Sequence, residues 1–506
     1  MKLPRTALAW LASTCSILVV WSSACGGNTG SVFGQAGGAG GASTANGSNA
    51  SNGSNASSGT KGSGNGGSTG VFMTGSTGVG STGTTTATAC TGLQCDIHTC
   101  TGTGSTTISG TIYDPAGKNP LYGIVAYVPN TKPAALLSGA SCYTCGDLYT
   151  GDPIAAAVTD ASGNFTIKNA PDGANIPLVI QVGKWRRQFV LPSVGKCANT
   201  AVPAQTLTLP KNSSEGDIPN IAISTGSADT LECLLSRVGV DQSEYVPGAS
   251  GSGHLHIFKG NNGAPNTSPA GPDPSVSLWD SATDIMKYDI VLLSCEGAET
   301  ENMNQQVMFN YAAAGGRIFA SHFHYAWFNT GPFGAANLAT WTTGSQQIGQ
   351  SLNANIVTTW DGAPFVRGQA LLTWLGNVNA LTNGELPIDA PRHNADVAVA
   401  NTPSQPWIVA DNSAQVPGAT QDFTFDTPLG VDAGEQCGRV VFSDMHVGAA
   451  SGDYMGGLGK TTPTGCASNA LSPQEKALEF ILFDLSSCVT PANMGVQPPP
   501  TMPPPT

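Results

Sequence analysis

The stretch that decides the fold of this chain is Tyr288-Asp289-Ile290-Val291-Leu292-Leu293-Ser294. Its centre is continuously apolar, which is typical of a strand buried on both faces of a parallel sheet. Strand and helix patterns alternate on both sides of it, with a strand over 219–224, a helix over 228–238, a helix over 302–314 and a strand over 317–321. This alternation predicts an α/β region over residues 217–488.

The end of this region carries the clearest helix signal. Ser472 is the predicted N-cap, Pro473 lies in the first turn, and Glu475 completes a capping box before the apolar run 477–483. A core strand is predicted at 438–443, and the section 327–426 mixes a helix near 368–375 with short strands. Residues 489–506 are a proline-rich tail, whose end, 498–506, is predicted to be exposed, frayed polyproline without helix or strand.

Residues 106–214 have short alternating strands separated by turn residues. Strands are predicted at 107–113, 123–128 and 176–182, and a hairpin is predicted over 155–167. The pattern predicts an antiparallel β-sandwich. Four motifs of this region resemble the carboxypeptidase regulatory-like, transthyretin-type sandwich: Ser109-Gly110-Thr111-Ile112, Thr159-Asp160, Gly163-Asn164-Phe165 and Ala170-Pro171-Asp172-Gly173. That resemblance implies a spacer or an interaction module.

The α/β region carries a second resemblance, through the segment 315–322 (GGRIFASH) together with 288–293 and 439–446. These segments are similar to class I glutamine amidotransferase-like domains, especially their trehalose-utilisation-type relatives. In active amidotransferases a cysteine follows this strand at a sharp elbow, whereas here His322 stands at the elbow and His446 follows the late strand. The resemblance therefore implies a domain without amidotransferase chemistry. The predicted fold class is multi-domain: an all-β sandwich, then an α/β doubly wound (flavodoxin-like) domain, preceded by a disordered tether.

The N-terminus indicates export. Lys2 and Arg5 precede an apolar run over 7–21 that is too short to span a bilayer, which predicts a signal peptide over 1–24. Small residues lead into Cys25 and resemble a bacterial lipobox, which implies acylation of Cys25 and a membrane anchor. A plain secretory signal cleaved near Ala24 is the alternative. Residues 25–105 are rich in Gly, Ser, Thr and Asn and predict a disordered tether.

Composition excludes one class of partner. Only 10% of the 506 residues are charged, and the formal net charge is −13. An acidic, weakly charged chain is not expected to bind nucleic acid.

Cysteine usage agrees with export. Eleven of the thirteen cysteines lie beyond the signal and Cys25, and in an exported chain these predict disulfides with at least one thiol left over. For Cys142 and Cys145, which are spaced as in a redox or zinc knuckle, a structural disulfide is favoured. Cys295 is interpreted as a disulfide partner or buried thiol, with a nucleophile as the alternative. The disulfide candidates in the two folded regions are Cys142, Cys145, Cys197, Cys233, Cys295, Cys437, Cys466 and Cys488.

Histidines supply the candidate chemistry. His254 with His256, and His322 with His324, are each two residues apart, so within a strand each pair would share a face and could hold zinc. His322, Asp444 and His446 are the predicted catalytic residues if the domain is an enzyme. Histidines satisfied by hydrogen bonds inside a core are the alternative interpretation.

A second candidate site is the run Lys184-Trp185-Arg186-Arg187. Three cations and an indole in a chain poor in charge can form a patch for an acidic or glycan ligand. The alternative is an arginine packed over Trp185 and paired with a local carboxylate.

The three-part layout resembles a family of bacterial surface lipoproteins of unknown activity. The leading hypothesis is a lipid-anchored cell-envelope protein, at the outer membrane or cell surface, that binds a glycan or protein partner through a degenerate amidotransferase-like domain. The alternative is a metal-assisted or His/Asp hydrolase acting at the ends of the α/β strands, with zinc as the candidate cofactor.

Overall fold

A computed structural model of the chain describes residues 90–102, 104–260, 272–299, 304–448 and 463–503. The signal peptide, Cys25 and nearly all of the predicted tether lie outside the described residues. The protein is multi-domain and rich in β-sheet, with some helices. Among the described residues, no helix is both long enough and apolar enough to cross a membrane.

The first region, called here the β-rich region, contains two four-stranded sheets. One has the strand order β4-β1-β7, with β8 also paired to β1, and the other has the order β3-β2-β5-β6. Alternate side chains of both sheets, such as Ile108 and Ile180, enter one hydrophobic core. A short 3₁₀ helix, Gly92–Asp96, precedes the strands, and helix α1 spans Cys145–Leu148. The strands are β1 (Thr107–Tyr113), β2 (Val125–Pro129), β3 (Pro153–Val158), β4 (Asn164–Lys168), β5 (Gly173–Val182), β6 (Trp185–Val194), β7 (Asn199–Ala201) and β8 (Leu207–Thr208).

The predicted hairpin over 155–167 is wrong in its pairing. Strands β3 and β4 flank the predicted turn, where Asp160 Oδ1 accepts from the Ser162 and Asn164 amides at 2.8 and 3.0 Å. However, β3 pairs with β2 and β4 pairs with β1, so the chain crosses from one sheet to the other at this turn. Turn chemistry fixes where the chain reverses, but not which sheet the next strand joins.

The second region, called here the mixed-sheet region, is built on one ten-stranded sheet with the order β10-β11-β9-β12-β13-β22-β21-β20-β15-β18. The first six strands run parallel and the remaining pairings are antiparallel. Its strands are β9 (Ile221–Thr225), β10 (Tyr245–Pro247), β11 (Leu255–Lys259), β12 (Ile290–Leu293), β13 (Arg317–Ser321), β15 (Ser351–Ile356), β18 (Leu386–Asp389), β20 (Ser404–Ala410), β21 (Thr420–Thr427) and β22 (Gly438–Ser443). Two small ribbons pair β14 (Thr340–Trp341) with β19 (Ala395–Asp396) and β16 (Thr359–Trp360) with β17 (Ala363–Pro364).

Helices alternate with the parallel strands. The predicted helices at 228–238, 302–314 and 368–375 are confirmed with shifted ends, and the predicted capping box of Ser472 and Glu475 begins the last helix. The α-helices are α2 (Leu231–Arg237), α3 (Val276–Trp279), α4 (Ala282–Ile285), α5 (Gln305–Ala313), α6 (Gly331–Gly334), α7 (Val366–Asn377) and α8 (Pro473–Ser486). The 3₁₀ helices are Gln242–Glu244, His322–Trp327 and Ala433–Glu435.

Covalent and apolar contacts join the two regions. Disulfides connect Cys142 with Cys437 and Cys145 with Cys488, so the prediction that both cysteines form structural disulfides is confirmed. The Trp185 ring packs edge-on against Phe483 of α8, with 6.0 Å between ring centroids. The remaining disulfides are Cys90–Cys95, Cys100–Cys197 and Cys233–Cys466.

The described part of the tail's end, 498–503, is mostly exposed as predicted, but it is not frayed. The tail forms neither helix nor strand, but the Met502 amide donates to the Pro153 carbonyl at 2.8 Å and Gln94 Nε2 donates to the Pro503 carbonyl at 2.7 Å. Pro499 is buried. Proline lacks a backbone donor, yet its carbonyl and ring can still dock on an existing surface.

Candidate functional site

A thiol and two imidazoles meet at the carboxyl ends of three neighbouring parallel strands. Cys295 follows β12, His322 follows β13 and His446 follows β22, and all three side chains are buried. Cys295 Sγ lies 3.2 Å from His322 Nδ1, and His446 Nε2 lies 3.2 Å from the same nitrogen. One donor atom from each residue lies within 4.8 Å of the other two. This group is called the Cys–His–His cluster below.

The backbone of His322 is strained. Its φ of 45° lies in the left-handed region, which a bulky residue enters at a cost of about 1–2 kcal/mol. The unusual φ turns the chain sharply from β13 into the 3₁₀ helix His322–Trp327 and directs the imidazole towards Cys295 and His446. The predicted elbow at this position is therefore present in the backbone, with histidine as the residue that occupies it.

Backbone carbonyls orient both imidazoles. His322 Nε2 lies 3.1 Å from the Ser345 carbonyl oxygen, and His446 Nδ1 lies 3.4 Å from that of Ala390. A carbonyl oxygen can only accept, so each of these outer nitrogens carries the proton in the tautomer that satisfies it. The inner nitrogens, Nδ1 of His322 and Nε2 of His446, then face each other with their lone pairs.

Burial keeps the two imidazoles neutral. It lowers the pKa of His446 to about 3, and it lowers the pKa of His322 well below the usual value, with further contributions from His446 and Arg392. Neutral imidazoles can accept protons or bind a metal ion through their lone pairs.

Asp229 connects the turn that carries His322 with the turn that carries His446. Its carboxylate accepts from the Ser321 hydroxyl at 2.5 Å and from the Val447 amide at 2.7 Å, and these residues flank His322 and His446 in the chain. Asp229 is 1% exposed, and burial raises its pKa to about 7 against the opposing effect of these hydrogen bonds. Because it holds the residues next to both histidines, Asp229 is a positioning residue. Sequence reasoning missed it.

The predicted catalytic set of His322, Asp444 and His446 is only partly assembled. His322 and His446 meet, but Asp444 Oδ2 accepts from the Asn394 amide at 2.6 Å, and the third member of the group is Cys295. Burial raises the pKa of Asp444 to about 8. Asp444 follows β22 directly, whereas His446 lies two residues further into the turn. The Asp444 carboxylate therefore binds the Asn394 amide, and the His446 imidazole faces His322.

The predicted metal set of His254, His256, His322 and His324 does not converge. Residues 322–327 form a 3₁₀ helix, so the two-residue periodicity of a strand does not apply to His322 and His324. His324 has both ring nitrogens occupied, with Nε2 donating to the Ser294 carbonyl at 2.9 Å and Nδ1 accepting from Trp327 at 3.2 Å. His254 pairs with Glu244 at 2.6 Å, and His256 Nδ1 contacts the Gly248 carbonyl at 2.8 Å.

The predicted ligand patch around Trp185 is not a surface patch. Trp185 is 1% exposed, so its indole cannot stack on a ligand from solvent. Each neighbouring cation is paired internally: Lys184 with Asp289, Arg186 with Asp217 at 2.8 Å, and Arg187 with Glu215 at 2.9 Å. Pairing with local carboxylates agrees with the alternative interpretation of this run.

Cys295 has a different environment from the other disulfide candidates. All seven of the others form disulfides, whereas Cys295 lies outside the five bridges and contributes its thiol to the cluster. Its position was available from the sequence, since it follows a buried strand just as His322 and His446 do. The missing information was that these three strands are neighbours.

Comparison with known proteins adds no assignment. No family model matches the chain, and no curated protein matches it. Two solved complexes are similar over a short part: interface mutants of a type II cohesin–X-dockerin complex from Acetivibrio cellulolyticus. The first is 18% identical over 27% of this chain and 85% of its own, with a TM-score of 0.16. The second is 19% identical over 24% of this chain and 78% of its own, with a TM-score of 0.15. A 9R-lipoxygenase from Cyanothece PCC8801 is 15% identical over 21% of this chain and 18% of its own, with a TM-score of 0.12. Scores this low carry no argument about fold or function.

Proposed function

We propose that this protein is an exported hydrolase whose centre is the Cys–His–His cluster. The observation that carries the proposal is the convergence of Cys295, His322 and His446 from three different strand ends. Open α/β sheets bind their ligands outside the carboxyl ends of the strands, and convergent titratable groups with displaced pKa values mark such sites. All three side chains are buried, so substrate entry would require local opening of the chain.

The competing hypothesis, a binding module for a glycan or protein, came from the resemblance of the three-part layout and had the run around Trp185 as its candidate ligand patch. That indole is buried and its neighbouring cations are paired within the protein. The observations on the two candidate sites therefore favour the hydrolase.

The strand order supports a doubly wound, flavodoxin-like fold for the mixed-sheet region. Without the three-residue strand β10, the parallel strands β11-β9-β12-β13-β22 follow the order 2-1-3-4-5. The shared core of the two four-stranded sheets likewise supports a transthyretin-type sandwich for the β-rich region. Five disulfides indicate an oxidising environment, which agrees with export. Anchoring through acylated Cys25, at the outer membrane or cell surface, completes the proposal.

Hydrolysis can be tested on the full chain produced in an oxidising compartment. A panel of chromogenic carboxylic esters, phosphate esters and amides would be assayed with wild type, Cys295→Ser and His446→Gln. The matched control is His324→Gln. His324 is buried and lies two residues after His322, but it is not a member of the cluster. We expect turnover of at least one substrate class and a loss of about 100-fold or more in the two cluster variants.

Two results would contradict the hydrolase. One is the absence of turnover by the wild-type protein across the whole panel. The other is an equal loss of activity in His324→Gln, because that would show that the effect comes from disturbing the core.

A further inference from the structure

We propose that Cys295 Sγ, His322 Nδ1 and His446 Nε2, the donor atoms that converge among the described residues, bind one zinc ion. This inference deepens the proposed function by naming the cofactor of the same centre, and it rests on that function only for the location of the site. Zinc binding and hydrolysis are separate measurements, so one can fail while the other holds.

The distances match the edges of a zinc coordination polyhedron. Zinc–nitrogen bonds of about 2.0–2.1 Å and a zinc–sulfur bond of about 2.3 Å, at tetrahedral angles, place two nitrogens about 3.4 Å apart and sulfur about 3.5 Å from nitrogen. In this protein the nitrogen–nitrogen and sulfur–nitrogen separations are both 3.2 Å. The two separations that share His322 Nδ1 are therefore within a few tenths of an ångström of the values in a zinc site, and the three donor atoms all lie within 4.8 Å of one another.

The hydrogen bonds of the outer ring nitrogens are those of metal-ligating histidines. A ligating histidine usually donates its other N–H to a carbonyl or carboxylate, which fixes the ring and its tautomer. Here the Ser345 and Ala390 carbonyls occupy those positions. A direct N–H···N bond between the rings would need a proton on His446 Nε2 or on His322 Nδ1. The outer nitrogen of that neutral ring would then have no proton to donate to the Ala390 or Ser345 carbonyl. A cation between the rings satisfies both inner lone pairs at once.

A simple thiol–imidazole pair explains less of this geometry. Nucleophilic catalysis by Cys295 needs only His322 as its base, yet His446 Nε2 approaches the same nitrogen atom as the thiol does. One thiolate and two neutral imidazoles form a borderline-soft donor set, which suits zinc and not magnesium or calcium. Among the described residues the cluster supplies three protein ligands, which is the number in catalytic zinc sites.

Metal content is the primary test. The full chain would be purified from an oxidising compartment, dialysed against metal-free buffer and analysed for elements. We expect about one zinc per chain in wild type and in His324→Gln. In Cys295→Ser and His446→Gln we expect affinity to fall by more than the 10–100-fold typical of changes to residues behind metal ligands.

Cobalt substitution keeps the inference testable if a variant folds poorly. Cobalt(II) added to the metal-stripped wild-type protein should give an absorption band for charge transfer from thiolate sulfur, together with the intense visible bands of tetrahedral cobalt. Cys295→Ser should lack the thiolate band. Absence of that band in folded wild-type protein would overturn the assignment of Cys295 as a ligand.

The remaining outcomes test the zinc site and the hydrolase separately. Wild-type protein without a stoichiometric metal, or metal lost equally from His324→Gln, overturns the site. Copper in place of zinc, with an intense blue thiolate band, overturns the zinc assignment and keeps the three ligands. Zinc bound without turnover refutes the hydrolase and upholds this inference. Turnover by metal-free protein that is abolished by thiol alkylation overturns this inference and upholds the hydrolase.

Discussion

Replacing His322 by glycine and by alanine should reverse the usual order of stability of these two residues. Both changes remove the imidazole and every contact it makes, so their difference isolates the backbone. At φ 45°, alanine pays about 1–2 kcal/mol for the left-handed conformation, whereas glycine enters it freely. Glycine loses about 0.5–1 kcal/mol more than alanine through its larger freedom in the unfolded chain. The net expectation is that His322→Gly unfolds with a free energy about 0.5–1 kcal/mol higher than His322→Ala.

The matched control is the same pair of substitutions at His324. This residue lies in the 3₁₀ helix that begins at His322, and it is not among the described residues with positive φ. Here alanine should be the more stable variant by about 0.5–1 kcal/mol. Urea unfolding of all four variants, with disulfides oxidised and a chelator present, measures both differences. An alanine variant at position 322 as stable as the glycine variant would refute the strain argument, whatever the result at 324.

Three further predictions concern the rest of the molecule. Burial raises the pKa values of Glu479 and of Asp114, two interacting carboxyl groups from the two regions, above their ordinary 4.5 and 3.8. The folded state therefore binds more protons, and stability should be greatest below those ordinary values and fall as pH rises through the raised ones. Glu479→Gln should flatten the fall in melting temperature as pH rises above the ordinary pKa of 4.5, and the exposed Glu435→Gln should not. The double variant Cys145→Ser/Cys488→Ser leaves the bridge from Cys142 to Cys437 intact, so it opens a loop of about 54 residues that runs through that bridge. It should lower the free energy of unfolding by about 4 kcal/mol, and an unchanged urea midpoint would contradict this. Cys25→Ser should abolish incorporation of labelled fatty acid and release the protein from membranes; labelling that persists would exclude Cys25 as the anchor.

Local patterns in the sequence predicted individual elements well. The apolar runs gave the positions of β12, β13 and β22, because strands covered on both faces contain few polar residues. The capping box predicted the start of α8, because Ser472 and Glu475 satisfy each other's backbone amides without help from distant residues. Such features depend on neighbours within a few positions.

The errors concerned features that the local sequence pattern does not determine. Trp185 is buried because α8, about 300 residues later, packs on it, so no feature near position 185 could predict its loss of exposure. The histidine pair at 322 and 324 appeared to share a strand face, but a positive φ at His322 starts a 3₁₀ helix instead. Backbone strain of this kind is held by surrounding structure and opposes the local preference of the residue.

The cluster itself shows why strand order matters more than spacing for this site. Cys295 and His322 are separated by 27 positions, and His322 and His446 by 124 positions, which matches no metal-ligand spacing. They meet because β12, β13 and β22 are adjacent parallel strands of one sheet. The chain therefore leaves all three strands at the same edge of the sheet. Asp229, which follows the neighbouring strand β9 of the same sheet, then ties the turns after β13 and β22 together through Ser321 and Val447. Four strand ends therefore supply three donor atoms and the carboxylate that positions two of them. In a sheet of this kind, a candidate site is better sought among residues that follow buried strands than among residues that are close in sequence.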